Sequence, residues 1–184
     1  MKKTFAALLS VLLIAPVWAQ ASTWSKSLEL DALIVELKQH YASDELSELK
    51  QEKMTQVDNL SFFIQYIDKP DTPEYKLLKA YLWGVQQTHI DSNYQQIQTN
   101  VVPWFCPKGG PLPAFSRNAD NPTQFIENLI WETLEIDIQR RPNNLPKGKG
   151  MFKPMSGLIR YGLQIKYPCY DKVPQAHRVG TWAY

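Results

Sequence analysis

The sequence predicts an all-α fold: a single domain of five to six helices with two long irregular loops and one disulfide. Three observations carry this. Apolar residues recur at steps of three and four along most of the chain, the period of a helix packed on one side. Prolines and glycines gather in two segments, 101–119 and 141–154, and leave the stretches between them free to coil. Two cysteines, Cys106 and Cys169, follow an N-terminal segment with the layout of an export signal.

That segment comes first. Lys2-Lys3 precedes an apolar run from Phe5 to Val17, with small residues at Ala19 and Ala21. Ala19-Gln20-Ala21 fits a cleavage site, with Val17-Trp18-Ala19 as the competitor, so residues 1–21 read as a signal peptide and 22–184 as the exported domain. The 184-residue chain carries 20 basic and 18 acidic side chains. Removing the signal takes two lysines and no acid, which leaves 18 of each. A neutral domain is a poor candidate for nucleic-acid binding, where phosphate neutralisation supplies much of the affinity. No second apolar run reaches the ~18 residues of a membrane span, so the mature chain is expected to be exported and soluble.

From Ser27 to Tyr41 the residues Leu28, Leu30, Leu33, Ile34, Leu37 and Tyr41 lie at helical spacing. Leu46, Leu49, Met54, Val57, Leu60, Ile64 and Ile67 then predict one long helix, or two with a kink near Asp58-Asn59. Glu45, Glu48, Lys50, Glu52 and Lys53 form the solvated face. Asp68-Lys69-Pro70-Asp71 is a turn. Thr72-Pro73-Glu74 supplies an N-cap, a proline at the first helical position and an acid in the first turn. The helix that follows is expected to reach about Ile90, with Leu78, Tyr81, Leu82 and Val85 inward. Gly84, inside it, suggests that another backbone packs closely there.

The segment 101–119 holds four prolines and cannot be a regular helix. Its Trp104 and Phe105 are expected to fold back into the core, because aromatics bury large area. Asn121-Pro122-Thr123-Gln124 restarts a helix with Phe125, Ile126, Leu129, Ile130 and Leu134 inward, and it must end before Pro142. Glu132, Glu135 and Asp137 read as its polar face. A last helix runs from about Pro154 to Lys166 and is closed by Pro168-Cys169.

The chemistry implied is slight. No nucleophile elbow, zinc-protease pair or phosphate loop is present. Lys147-Gly148-Lys149-Gly150 lacks the flanking residues of a phosphate loop and reads as a basic turn. The three histidines, His40, His89 and His177, are dispersed, so no metal site and no cofactor is expected. In an oxidising compartment Cys106 and Cys169 most simply form one disulfide, which the loop-entropy model puts at roughly 4 kcal/mol. A reactive thiol, with Cys106 and His89 as a nucleophile pair, is the alternative. Long loops in a compact domain are commonly functional. The residues expected to contact a partner are Lys108, Phe115, Arg117, Lys147, Lys149 and Phe152.

Several short elements, taken in order, resemble the Tai-type family of periplasmic immunity proteins, which protect against type VI secretion amidase effectors. Tyr81-Leu82-Trp83-Gly84-Val85 is similar to the family's Leu-x-Gly-Val helix. Phe105-Cys106-Pro107 is similar to its Phe-Cys-x-Pro element, one residue shorter. A helix stopping at Arg141-Pro142 and a closing Tyr167-Pro168-Cys169 complete the set. The match spans roughly residues 75–169. The resemblance implies an all-helical fold, a possible homodimer, and inhibition of a secreted peptidoglycan amidase effector by occlusion of its cleft. The chain departs from the family in lacking a cysteine upstream of Cys106, in two longer loops, and in the region from Ser27 to Ile67.

Two other classes give different expectations. A periplasmic helical structural or chaperone-like protein would use its amphipathic faces on general clients. A cysteine hydrolase would keep Cys106 as a free thiol.

Overall fold

A computed structural model describes residues 25–43, 46–99, 101–107, 120–140 and 152–169. Among them are six helices, α1 Leu28–Tyr41, α2 Glu48–Thr55, α3 Leu60–Tyr66, α4 Pro73–Gln98, α5 Gln124–Arg140 and α6 Met155–Lys166, and no strand. The fold is all-α, as the periodicity requires. No helix of the described residues is long and apolar enough to cross a membrane. The export signal, residues 1–21, lies outside the described residues.

The helix starts follow local chemistry. The Ser27 hydroxyl accepts from the Leu30 amide at 3.2 Å and opens α1. The Thr72 hydroxyl accepts from the Tyr75 amide at 3.2 Å, with Pro73 at the first helical position of α4. Each satisfies an amide that the helix itself leaves unpaired. From α1, Leu30, Leu33, Ile34, Leu37 and Tyr41 are buried, whereas Leu28, at the very start of the helix, is exposed.

The stretch after α1 is two helices and not one. The break at Gln56–Asn59 has a tertiary cause. The Leu60 amide donates to the Lys153 carbonyl at 2.9 Å, and the Met155 amide donates to the Asp58 carbonyl at 2.7 Å. The Asn59 side chain donates to the Phe152 carbonyl and accepts from the Ser61 amide, which caps α3. Backbone groups committed to this antiparallel crossing with residues 152–155 cannot also continue a helix. Of the predicted stripe, Leu60 and Ile64 are fully buried and Leu46 nearly so, while Leu49 faces solvent and α2 buries no residue.

Helix α4 runs to Gln98, past the expected end near Ile90. Residues 91–98 contain neither proline nor glycine, so nothing local stops it. Its inward face carries Leu78 and Leu82, then two buried amides, Gln86 and Asn93. Gly84 is not a close-packing point: a Cβ there would meet nothing within 4 Å. The close approach lies at Gly162 of α6, where a Cβ would stand 2.1 Å from Thr133 Oγ1 of α5 and 3.2 Å from Leu129.

Helices α5 and α6 form the most extensive helix pair. They are antiparallel: Phe125 stacks on Tyr167, Leu129 and Thr133 face Gly162, and Asp137 meets Lys153. The core lies between this pair and α1, α3 and the first half of α4. Phe63 of α3 packs on Trp131 of α5 with ring centroids 4.8 Å apart. Ile126, Ile130, Met155 and Ile159 are fully buried around them. Asp137, expected on a polar surface face, is instead only 2% exposed and bonds Lys153 Nζ at 2.7 Å.

Candidate functional site

The two irregular segments are held at their ends by specific bonds, and these anchors define the candidate binding region. The first anchor is the disulfide. Cys106 and Cys169 are joined with Cα atoms 5.0 Å apart, across 63 residues of sequence. The Cys106 amide donates to the Tyr167 carbonyl at 2.8 Å, so one covalent and one hydrogen bond tie the start of the first loop to the end of α6. Asn93 reaches out from α4 and donates Nδ2 to the Phe105 carbonyl at 2.7 Å. Phe105 is buried, with the His89 ring edge-on at 6.4 Å. Neither cysteine is a thiol, which leaves no sulfur nucleophile for a Cys106–His89 pair.

Trp104 parts from Phe105. It is 53% exposed and does not join the core as expected; its amide donates to Gln96 Oε1 at 3.3 Å. One face of this short stretch is filled by Phe105, and the neighbouring side chain has to point the other way.

The first loop ends at a polar cluster before α5. Lys79 of α4 bonds Asn121 Oδ1 at 2.7 Å and forms an ion pair with Glu127. The buried Thr123 hydroxyl donates within the same group, and Gln86 donates Nε2 to the Pro122 carbonyl at 3.0 Å. The Asn121 carbonyl accepts from the Gln124 amide, so the helix begins at Gln124, with residues 121–123 as its lead-in.

The second loop begins after Arg140, whose guanidinium donates to the Tyr161 hydroxyl at 3.1 Å. It ends in the crossing of residues 152–155 with 58–60. Phe152, expected to contact a partner, is half-buried, and its ring packs edge-on against Tyr41 at 5.8 Å. Its carbonyl is held by Asn59, so Phe152 acts within the fold as an anchor. Lys108, Phe115, Arg117, Lys147 and Lys149 lie outside the described residues.

One consequence was not visible in the sequence. The first loop rejoins the fold at the start of α5 and the second leaves from its end. At ~1.5 Å per residue, the 17 residues of α5 separate these points by about 25 Å. The loops therefore emerge at opposite ends of the α5–α6 pair.

Electrostatics near the anchors are set by burial. Desolvation and the nearby Arg160 charge lower His89 below its ordinary range. Burial and the Glu132 carboxylate raise Tyr167, while Glu132 itself pairs with Lys166. Burial and Asp58 push Tyr81 up to about 12. These phenols stay neutral at any physiological pH, and none is activated as an acid or base. No group of three or more His, Cys, Asp or Glu able to hold a metal ion occurs among the described residues.

The anchors missed in the sequence are Asn93, Gln86 and the Asp58–Leu60 crossing. A signal existed for the first two: amides at positions 86 and 93 continue the inward face of Leu78 and Leu82. A polar residue on an apolar face needs a partner. Compared with known protein families, curated proteins and solved structures, the chain has no match.

Proposed function

We propose that the chain is an exported, non-catalytic binding protein of the immunity type, which neutralises a type VI secretion amidase acting on peptidoglycan peptides by covering its active-site cleft. The observation that carries this reading is the joining of Phe105-Cys106-Pro107 to Tyr167-Pro168-Cys169 through one disulfide. Those are two of the elements on which the resemblance to the Tai-type immunity proteins rests. An exported chain in the periplasm meets the oxidising conditions under which such a bond persists.

The mechanism is steric. Anchored loop ends lower the number of conformations a loop loses on binding, which favours tight association. A specific interface buries about 800 Å² on each partner, a patch roughly 30 Å across. The ~25 Å between the two loop roots fits within such a patch, so one cleft could be bridged by both loops along the line of α5. Lys108, Phe115 and Arg117 of the first loop and Lys147 and Lys149 of the second are the aromatic and basic side chains proposed as its anchors and rim.

Affinity capture from periplasmic extract, coupled to a toxin co-expression assay, tests this. Recovery of a peptidoglycan amidase whose activity the protein suppresses is the expected result. Lys147→Glu with Lys149→Glu should weaken protection while leaving the helical circular dichroism unchanged. Capture of no such enzyme, together with no protection against amidases of this class, would overturn the reading.

A further inference from the structure

Helix α4 has an outward face on which no loop anchor sits. Trp83, Ile90 and Ile97 follow one another at steps of seven, two turns apart, and form one row along it. Gln87, Asp91, Tyr94 and Gln98 follow at steps of four and three and form the row beside it. Trp83, Tyr94 and Ile97 are each 45–48% exposed. Asp91 and Gln98 are exposed as well, and Gln87 and Ile90 are partly covered. Ala80, one turn before Trp83, is small and exposed, so it leaves the indole uncovered. The face thus pairs flat apolar rings with a line of hydrogen-bonding groups. The inward face of the same helix uses other positions, among them Leu78, Leu82, Gln86 and Asn93.

We propose that this face binds a neutral oligosaccharide, its sugar rings laid on Trp83 and Tyr94 and its hydroxyls bonded to Gln87, Asp91 and Gln98. A sugar ring has the same two-sided character: one side of C–H groups, which pack on the π face of an aromatic ring, and an edge of hydroxyls. An amide both donates to and accepts from a hydroxyl, and a carboxylate accepts from two. The charge pattern selects a neutral ligand. Between Lys79 and Lys108 the chain has no lysine or arginine and a single carboxylate, Asp91. Nucleic acids and acidic polysaccharides need cations along their length, and this stretch supplies none. A purely apolar partner would strip water from Gln87, Asp91 and Gln98 and return no hydrogen bonds, which costs binding energy. The eleven residues from Trp83 to Tyr94 span about 17 Å of helix axis, room for several sugar rings in a row.

Isothermal titration calorimetry of the purified protein tests this. The neutral probes are tetramers of N-acetylglucosamine and of glucose, and a galacturonate tetramer is the charged control. Saturable binding of at least one neutral tetramer below about 10 mM is expected, with the galacturonate tetramer weaker by about tenfold or more. Trp83→Ala with Tyr94→Ala should raise the dissociation constant by about tenfold or more at unchanged helical circular dichroism. Trp83→Gln, a milder change on the same face, serves if the double variant unfolds. No saturable binding of either neutral tetramer overturns the inference. So does binding indifferent to these substitutions, or a galacturonate tetramer bound equally well. Capture of phosphatidylcholine vesicles by the native chain, with neither neutral tetramer bound, would assign the face to a lipid surface and overturn it too. The titration uses the protein and a sugar alone, so its failure and the failure of the amidase reading are separate results.

Discussion

Gly162 and Gly84 show how differently one residue type can serve in two helices. At Gly162 an added methyl would collide with Thr133 Oγ1, and Thr133 is fully buried with its hydroxyl held by the Leu129 carbonyl at 2.6 Å. Relief would mean breaking that bond or parting α5 from α6. Gly162→Ala should therefore destabilise by about 1–3 kcal/mol, the usual cost of overpacking. Gly84 is exposed with open space around it, so Gly84→Ala should stabilise by about 0.5–1 kcal/mol through helix propensity alone. Urea midpoints of the two variants should move in opposite directions; equal shifts would refute this account of α6 packing. His89 gives a pH prediction at the same scale. Its ordinary value is 6.5, and burial with the Arg160 charge lowers it in the folded state. The unfolded chain then binds a proton that the folded chain refuses. His89 should leave stability level above about pH 6.5 and erode it as pH falls from there through the folded value. His89→Gln should flatten that part of the stability–pH curve, measured by urea unfolding between about pH 5 and 8.

At the scale of elements, the start of α4 was legible in Thr72-Pro73-Glu74, because a cap is a contact over three residues, Thr72 to Tyr75; the Ser27 to Leu30 contact at α1 is of the same kind. Apolar spacing also placed α1, α5 and α6 correctly. What could not be read are the features with partners far along the chain. The break between α2 and α3 depends on residues 153–155, and no local pattern pairs Asp58 with Met155. Leu49 fits a helical stripe but has nothing to pack on, since α2 lies outside the core. Asp137 looked like a surface acid until Lys153 arrived over it. That pair joins the C-terminal half of α5 to the strap leading into α6, and its two ends are unequal: Asp137 is almost wholly buried, while Lys153 is 27% exposed. Removing the ammonium takes the Lys153 hydrogen bond and its charge away from a buried carboxylate. Lys153→Met keeps the apolar stem and should cost about 2–3 kcal/mol. Adding Asp137→Asn should recover part of that loss, because the amide no longer carries the buried charge. Thermal melts of the single and double variants decide it; strictly additive losses would mean the pair is not coupled.

For the whole molecule, the cysteine count identified the one long-range link that a sequence can reveal, and the structure shows what it holds. The bond closes 63 residues that include the first loop, all of α5, the second loop and α6. It therefore clamps the α5–α6 pair at the end where the first loop leaves, while the crossing at residues 58–60 and 152–155 holds the opposite end. The residues expected to contact a partner, Lys108, Phe115, Arg117, Lys147 and Lys149, lie outside the described residues, in proline- and glycine-rich segments where no periodicity encodes a shape. Reduction, or Cys106→Ser with Cys169→Ser, should lower stability by about 4 kcal/mol in the loop-entropy picture. The helical core does not depend on it: Phe63, Leu78, Leu82, Ile130 and Ile159 are buried without help from either cysteine. The reduced protein should therefore keep its helical circular dichroism and its cooperative unfolding at a lower midpoint. Any function carried by the first loop should fall further than stability does, because Asn93 and the Tyr167 carbonyl would be left to hold Phe105 and Cys106 alone. Proteolysis near Lys108 should accelerate on reduction while cleavage near Lys147 stays unchanged; equal acceleration at both would show that the bond serves the whole domain and not that loop.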